Sequence, residues 1–78
     1  MLNNLVVAIS GAAGRLGSAF SRAIVANGGK VISGDVSEKK GNELVEDLGA
    51  DNVSFYHGDL TVTDNLDKFI EKGLGKFD

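Results

Sequence analysis

Residues 5–17 read LVVAISGAAGRLG: five apolar residues, a serine, then Gly11, Gly14 and Gly17 spaced three apart. The apolar run Leu5–Ile9 shows no alternation, as in a parallel strand covered on both faces. Apolar residues then recur at helical spacing at Leu16, Phe20, Ala23 and Ile24, so a helix is expected over about residues 15–27. Gly28-Gly29 ends it. Between strand and helix, each glycine has a separate use. Gly11 permits a tight turn, Gly14 lets the backbone approach a pyrophosphate closely, and Gly17 lets the helix pack near the sheet. The helix N-terminus adds free N–H groups and a partial positive charge. The other reading is a tight strand-to-helix turn that binds nothing.

The same alternation continues. KVISGD (30–35) reads as a second strand, and a second helix follows with Ser37 as N-cap and a thin apolar face of Leu44, Val45 and Leu48. NVSFYH (52–57) reads as a more mixed third strand, suited to a sheet edge. Val62, Leu66, Phe69, Ile70 and Leu74 keep helical spacing in a third helix, where Thr61 and Asp64 could form a capping-box variant. Gly73 and Gly75 should each weaken its last turn by about 1 kcal/mol relative to alanine. Strands alternating with helices on short connections imply an α/β fold with a parallel sheet and right-handed crossovers, in the order 3-2-1. The third helix is then a crossover toward a fourth strand beside the first. The sequence is expected to be truncated before that strand, leaving an open apolar edge on strand one.

Composition narrows the partners. The chain has 78 residues and a net charge of −3, with its basic residues scattered except for Lys39-Lys40. No nucleic-acid or anionic-membrane partner bound through charge is expected. The chain has no cysteine, which excludes disulfides and thiolate sites and fits a reducing cytoplasm. No apolar run approaches the ~20 residues that span a bilayer, and no basic leader is evident. A cytoplasmic protein is the expectation. No metal ligands cluster; the single histidine, His57, reads as a loop residue.

Two acids carry the remaining chemistry. Asp35 ends the second strand 18 positions after Gly17, where an acid can hydrogen-bond the ribose hydroxyls of an adenine dinucleotide. Its charge also opposes a ribose 2′-phosphate. Two unit charges ~4 Å apart repel by ~4 kcal/mol at an effective dielectric of ~20, and solvent in an open cleft cuts this to ~1–2. NAD is therefore expected over NADP. Arg15 is read as a pyrophosphate or surface contact. In GDLT (58–61), Asp59 and Leu60 follow the third strand, beyond the carboxyl ends where ligands of open sheets lie. Asp59 would accept from the adenine amino group and Leu60 pack on its face. Either acid could instead be a turn residue.

Taken together, SGAAGRLG (10–17), Asp35 and Asp59-Leu60-Thr61 resemble the N-terminal third of the short-chain dehydrogenase/reductase family, over the whole chain. Ser10 stands where that family usually has threonine. The resemblance implies a Rossmann-like three-layer βαβαβα half, the N-terminal part of one NAD(P)-binding domain over residues 1–78. It also implies that Leu16 offers a backbone N–H to the pyrophosphate. The Gly-x-x-Gly-x-x-Gly spacing is commoner in the larger branch acting on nucleotide sugars, whereas the long second helix and GKFD (75–78) favour the single-domain branch. The family's catalytic Tyr-x-x-x-Lys is absent: the only tyrosine is Tyr56, with Leu60 four positions on. The expected chain is thus a catalytically silent piece of an NAD-dependent oxidoreductase, holding the adenosine and pyrophosphate half of the site. The alternatives are a stand-alone nucleotide-binding module that self-associates through the open edge of the first strand, or a piece of a nucleotide-sugar enzyme.

Overall fold

The computed structural model describes residues 5–11 and 14–77. Ala12 and Ala13, in the middle of the glycine loop, lie outside the described residues. Six elements follow in strict alternation: β1 (Val6–Ser10), α1 (Arg15–Ala26), β2 (Lys30–Asp35), α2 (Glu38–Leu48), β3 (Val53–His57) and α3 (Thr63–Phe77). Among the described residues the sheet is three-stranded, parallel, in the order β1-β2-β3. This is the order expected from the sequence.

The period of two along each strand divides the sheet between two helix layers. Val31 and Val53 are fully buried, and they pack with Leu44 of α2 and with Ile9, Ile24 and Val25, so α1 and α2 share this face. Ile32 and Gly34 point the other way, toward α3, where Phe69 and Gly73 are buried. Gly73 lies directly on Ile32, and Gly41 of α2 lies directly on the Phe55 ring. At both positions the absent side chain sets how closely a helix approaches the sheet.

Two local expectations need correcting. Only part of the α1 stripe meets the sheet. Ser21 is fully buried, its hydroxyl donating to the Gly17 carbonyl at 2.8 Å, and Ile24 is half-buried. Leu16 is 69% exposed and Phe20 56%. Both lie on the helix flank opposite the Arg22–Asp47 ion pair that joins α1 to α2. That flank overhangs the open side of β1, where nothing among the described residues covers it. The capping box at α3 does not form either. Helix α3 starts at Thr63, and Thr61 instead donates its N–H and hydroxyl to Asp59 Oδ1. Because α3 begins at Thr63, Val62 is the residue immediately before the helix, and Thr61 stands one position too early to cap it; its side chain closes a local turn on Asp59 instead.

The two sheet edges differ. In a parallel ladder alternate residues point their N–H and C=O outward. On β3 the outward carbonyls of Phe55 and Val53 accept from Lys72 Nζ and Lys76 Nζ, the latter at 3.0 Å. Residues i and i+4 of a helix are about 6 Å apart, close to the ~6.6 Å between i and i+2 of a strand. The two lysines therefore match the two carbonyls and blunt that edge. On β1 the outward groups belong to Val6, Ala8 and Ser10, beside exposed Leu5 and the exposed flank of α1.

Candidate functional site

The carboxyl ends of the three strands meet in one cleft of about 320 Å³. Five of the residues singled out in the sequence line it: Ser10 and Gly11 from β1, Asp35 from β2, and Asp59 and Leu60 from the β3–α3 loop. Gly11 turns the chain out of β1 with φ +71° and donates its N–H to the Gly34 carbonyl at 2.7 Å. Left-handed backbone of this kind favours glycine.

Gly14 is the N-cap of α1, and having no side chain it leaves the cap unfilled. The first intrahelical bond runs from Ser18 N–H to the Gly14 carbonyl. The N–H groups of Arg15, Leu16 and Gly17 therefore have no partner within the helix, and the positive end of its dipole is unscreened by any first-turn acid. A side chain at Gly14 would press on the Gly11 carbonyl, its Cβ only 3.3 Å away. Gly14 thus brings the helix start close to the Gly11 carbonyl and, among the described residues, leaves these donors without a side-chain cap.

Both acids serve their own turns as well as facing the cleft. Asp35 Oδ1 accepts the Ser37 N–H at 2.9 Å, and Ser37 Oγ in turn caps α2 at the Lys40 N–H. One carboxylate oxygen is thereby engaged, while the other accepts no hydrogen bond among the described residues. Asp59 Oδ1 takes the Thr61 hydroxyl at 2.7 Å and the Thr61 N–H at 2.9 Å. The hydroxyl first, and then the N–H, hold the Asp59 carboxyl below its ordinary range. The turn roles of both acids are formed, and both also line the cleft. Leu60 is half-buried and lies over Gly34, where any Cβ would collide with its Cδ1. Gly34 is what lets Leu60 lie flat as a wall of the cleft.

The structure does not gather every candidate in that cleft. Gly14 and Arg15 line a neighbouring space of about 350 Å³ between α1 and α2, together with Lys40. Leu16 and Gly17 line neither space and lie in the first turn of α1. Val36 and Thr61, which the sequence reading did not place in the site, line the main cleft. Their position follows only from how the two loops fold back on Asp35 and Asp59. Among the described residues no helix is long and apolar enough to cross a membrane.

With this geometry established, comparison with known proteins decides the family. A model of the short chain dehydrogenase family matches residues 5–78. The chain belongs to that family. A 7alpha-hydroxysteroid dehydrogenase of Bacteroides fragilis is 36% identical over 80 residues, covering 96% of this chain. Short-chain dehydrogenase reductase 3b of Arabidopsis thaliana is 31% identical over 99% of it. Among solved structures, a 3-ketoacyl-(acyl-carrier-protein) reductase from Brucella melitensis, complexed with NADH, superposes with a TM-score of 0.93 over 99% of the chain at 23% identity. At that identity the likeness concerns the fold. This short chain dehydrogenase sequence spans 31% of the length of both curated relatives and of that reductase.

Proposed function

We propose that residues 5–77 hold the adenosine and pyrophosphate half of an NAD site in an oxidoreductase whose reacting half lies in other parts of the parent protein. The observation that carries this reading is the single cleft in which Gly11, Asp35, Asp59 and Leu60 meet at the carboxyl ends of three parallel strands. The residues fit the group. N–H donors without a helical partner or side-chain cap at the start of α1 suit a pyrophosphate. The free oxygen of Asp35 suits ribose hydroxyls, and Leu60 with Val36 offers apolar walls to a base. Asp59 would accept from the base's amino group, and Ser10 lies at the mouth of the turn.

NAD, when bound in the parent, supplies a hydride acceptor for a carbonyl/alcohol pair. This chain's share is to bind and orient, and no proton-transfer step is assigned to its residues. Asp35 supports NAD over NADP through charge. Arg15 and Lys40, facing one space between α1 and α2, favour the second reading, in which a 2′-phosphate is tolerated there.

The outward edge of β1 with Leu16 and Phe20, exposed among the described residues, supports the view that the chain is part of a larger sheet. If the chain acts alone, that flank and the outward groups of Val6 and Ala8 are where a second copy would pair.

Half a site binds weakly: about millimolar, near −4 kcal/mol. The test is titration of NADH and NADPH into the chain, with Gly17→Val as the comparison. Added bulk there should crowd both the helix end and the sheet and abolish binding. NADH binding that Gly17→Val leaves untouched would overturn the placement of the phosphates. Coding DNA read past codon 78 tests the oxidoreductase assignment, which expects a Tyr-x-x-x-Lys segment downstream.

A further inference from the structure

Two loops wall the base-facing side of the cleft. One is the β2–α2 turn through Asp35, Val36 and Ser37; the other is the β3–α3 loop from Gly58 to Thr61. Each is braced internally, by Asp35 Oδ1 on the Ser37 N–H and by Asp59 Oδ1 on Thr61. What joins one loop to the other is a shorter inventory. The Gly58 N–H donates to the Asp35 carbonyl at 3.0 Å, the last rung of the β2–β3 ladder. One residue earlier, the His57 ring reaches across the edge of the sheet. Its Nε2 lies 3.0 Å from the Val36 carbonyl oxygen, and its Nδ1 lies 3.3 Å from Glu38 Oε2 in the first turn of α2. The ring thus touches the residue before and the residue after Ser37, the N-cap of α2.

The Val36 carbonyl has no role in the helix, because the first α2 bond uses the Ser37 carbonyl, which accepts from the Gly41 N–H. Nor does packing anchor the turn, since Val36 is 67% exposed. A backbone acceptor without a helical partner, on a turn without packing, is met by one side chain from the opposite loop.

We propose that His57 is a positioning residue of the dinucleotide site. By donating Nε2–H to the Val36 carbonyl it fixes the β2–α2 turn, and with it the Asp35 carboxylate, relative to the Asp59-Leu60 wall. This rests on the reading of the cleft as the adenosine half of an NAD site. His57 itself does not line that cleft and touches no ligand. It acts through Val36.

The test compares His57→Leu, which keeps bulk and loses the donor, with His57→Gln, whose side-chain amide nitrogen can reach where Nε2 stands. Glu38→Gln is the control, because it leaves the Val36 contact in place. The first readout needs no cofactor: amide exchange of Ser37, whose N–H reports the turn. Loss of one hydrogen bond should speed it by about three- to ten-fold in His57→Leu, with recovery in His57→Gln. The second readout is the NADH dissociation constant from chemical-shift titration, expected to rise by a similar about three- to ten-fold in His57→Leu and to recover in His57→Gln. Unchanged Ser37 exchange overturns the positioning role whatever NADH does. Faster exchange with unchanged NADH affinity overturns it as well, because the turn would then not matter to the site. Wild-type chain that fails to bind NADH while Ser37 exchange still responds defeats the cleft reading, and the proposal falls with it. Wild-type behaviour in Glu38→Gln and recovery in His57→Gln, with the change confined to His57→Leu in both readouts, is the result that supports it.

Discussion

Replacing Gly73 and Gly75 by alanine, one at a time, should move stability in opposite directions. Both lie in α3, and in each the helix backbone gains about 1 kcal/mol from the substitution. At Gly75 a new Cβ meets open space, so the gain is kept. At Gly73 it would land on Ile32, against Cδ1, Cγ2 and Cγ1 together. Ile32 is 3% exposed on the central strand, and a β-branched side chain there cannot swing aside. The helix must lift off the sheet instead. Overpacking of this kind costs about 1–3 kcal/mol, which outweighs the propensity gain and leaves Gly73→Ala about 1 kcal/mol less stable than the wild type. The two variants should differ by about 2 kcal/mol, or about 8–16 °C in melting temperature for a domain of this size. Thermal unfolding followed by circular dichroism reads this directly. Ile32→Val, which removes the Cδ1, should cost about 1 kcal/mol alone and much less in the Gly73→Ala background. Equal melting temperatures for the two alanine variants, or additive effects with Ile32→Val, would refute the packing argument.

Other expectations follow from the same contacts. Asp35→Asn retains an oxygen for the Ser37 N–H and loses the charge, so it should narrow the NADH-over-NADPH preference by about ten-fold without lowering the melting temperature. Asp35→Ala should do both, and parallel titrations and melts separate the two roles. The Asp59 carboxyl, held below its ordinary 3.8 by Thr61, should show a protonation midpoint under that value in an NMR pH series. The stability it lends is complete above that ordinary value and is lost as pH falls through the lower folded one; Thr61→Val should raise its midpoint. Lys72→Ala combined with Lys76→Ala unblocks the outward carbonyls of β3 and should increase self-association in sedimentation. Lys39→Ala with Lys68→Ala, equal in charge, should not.

The strands, helices and sheet order were legible because each rests on a local pattern: an unalternated apolar run, a helical stripe, a glycine or an N-capping serine at each break. Ser37 as N-cap and the turn after Ser10 were legible for the same reason. What was not legible depends on which neighbour an element meets. Leu16 and Phe20 carry the period of a buried face, yet among the described residues both are more than half exposed. Gly73 and Gly75 look alike in sequence, and only one lies on Ile32. Thr61 reads as a helix cap, yet α3 starts at Thr63 and Thr61 closes a turn on Asp59 instead. His57 reads as an isolated loop residue because its partner is a backbone carbonyl, which leaves no mark in a sequence.

The central claim is that the glycine loop, Asp35 and the Asp59-Leu60 wall form one dinucleotide half-site. Titration of NADH into the isotopically labelled chain, followed by amide chemical shifts, tests it most directly. The account predicts saturable shifts near millimolar NADH, concentrated at Gly11, Arg15–Gly17, Asp35–Ser37 and Gly58–Thr61. Absence of saturable shifts, or shifts centred on the β3 edge and the far ends of the helices, would contradict it.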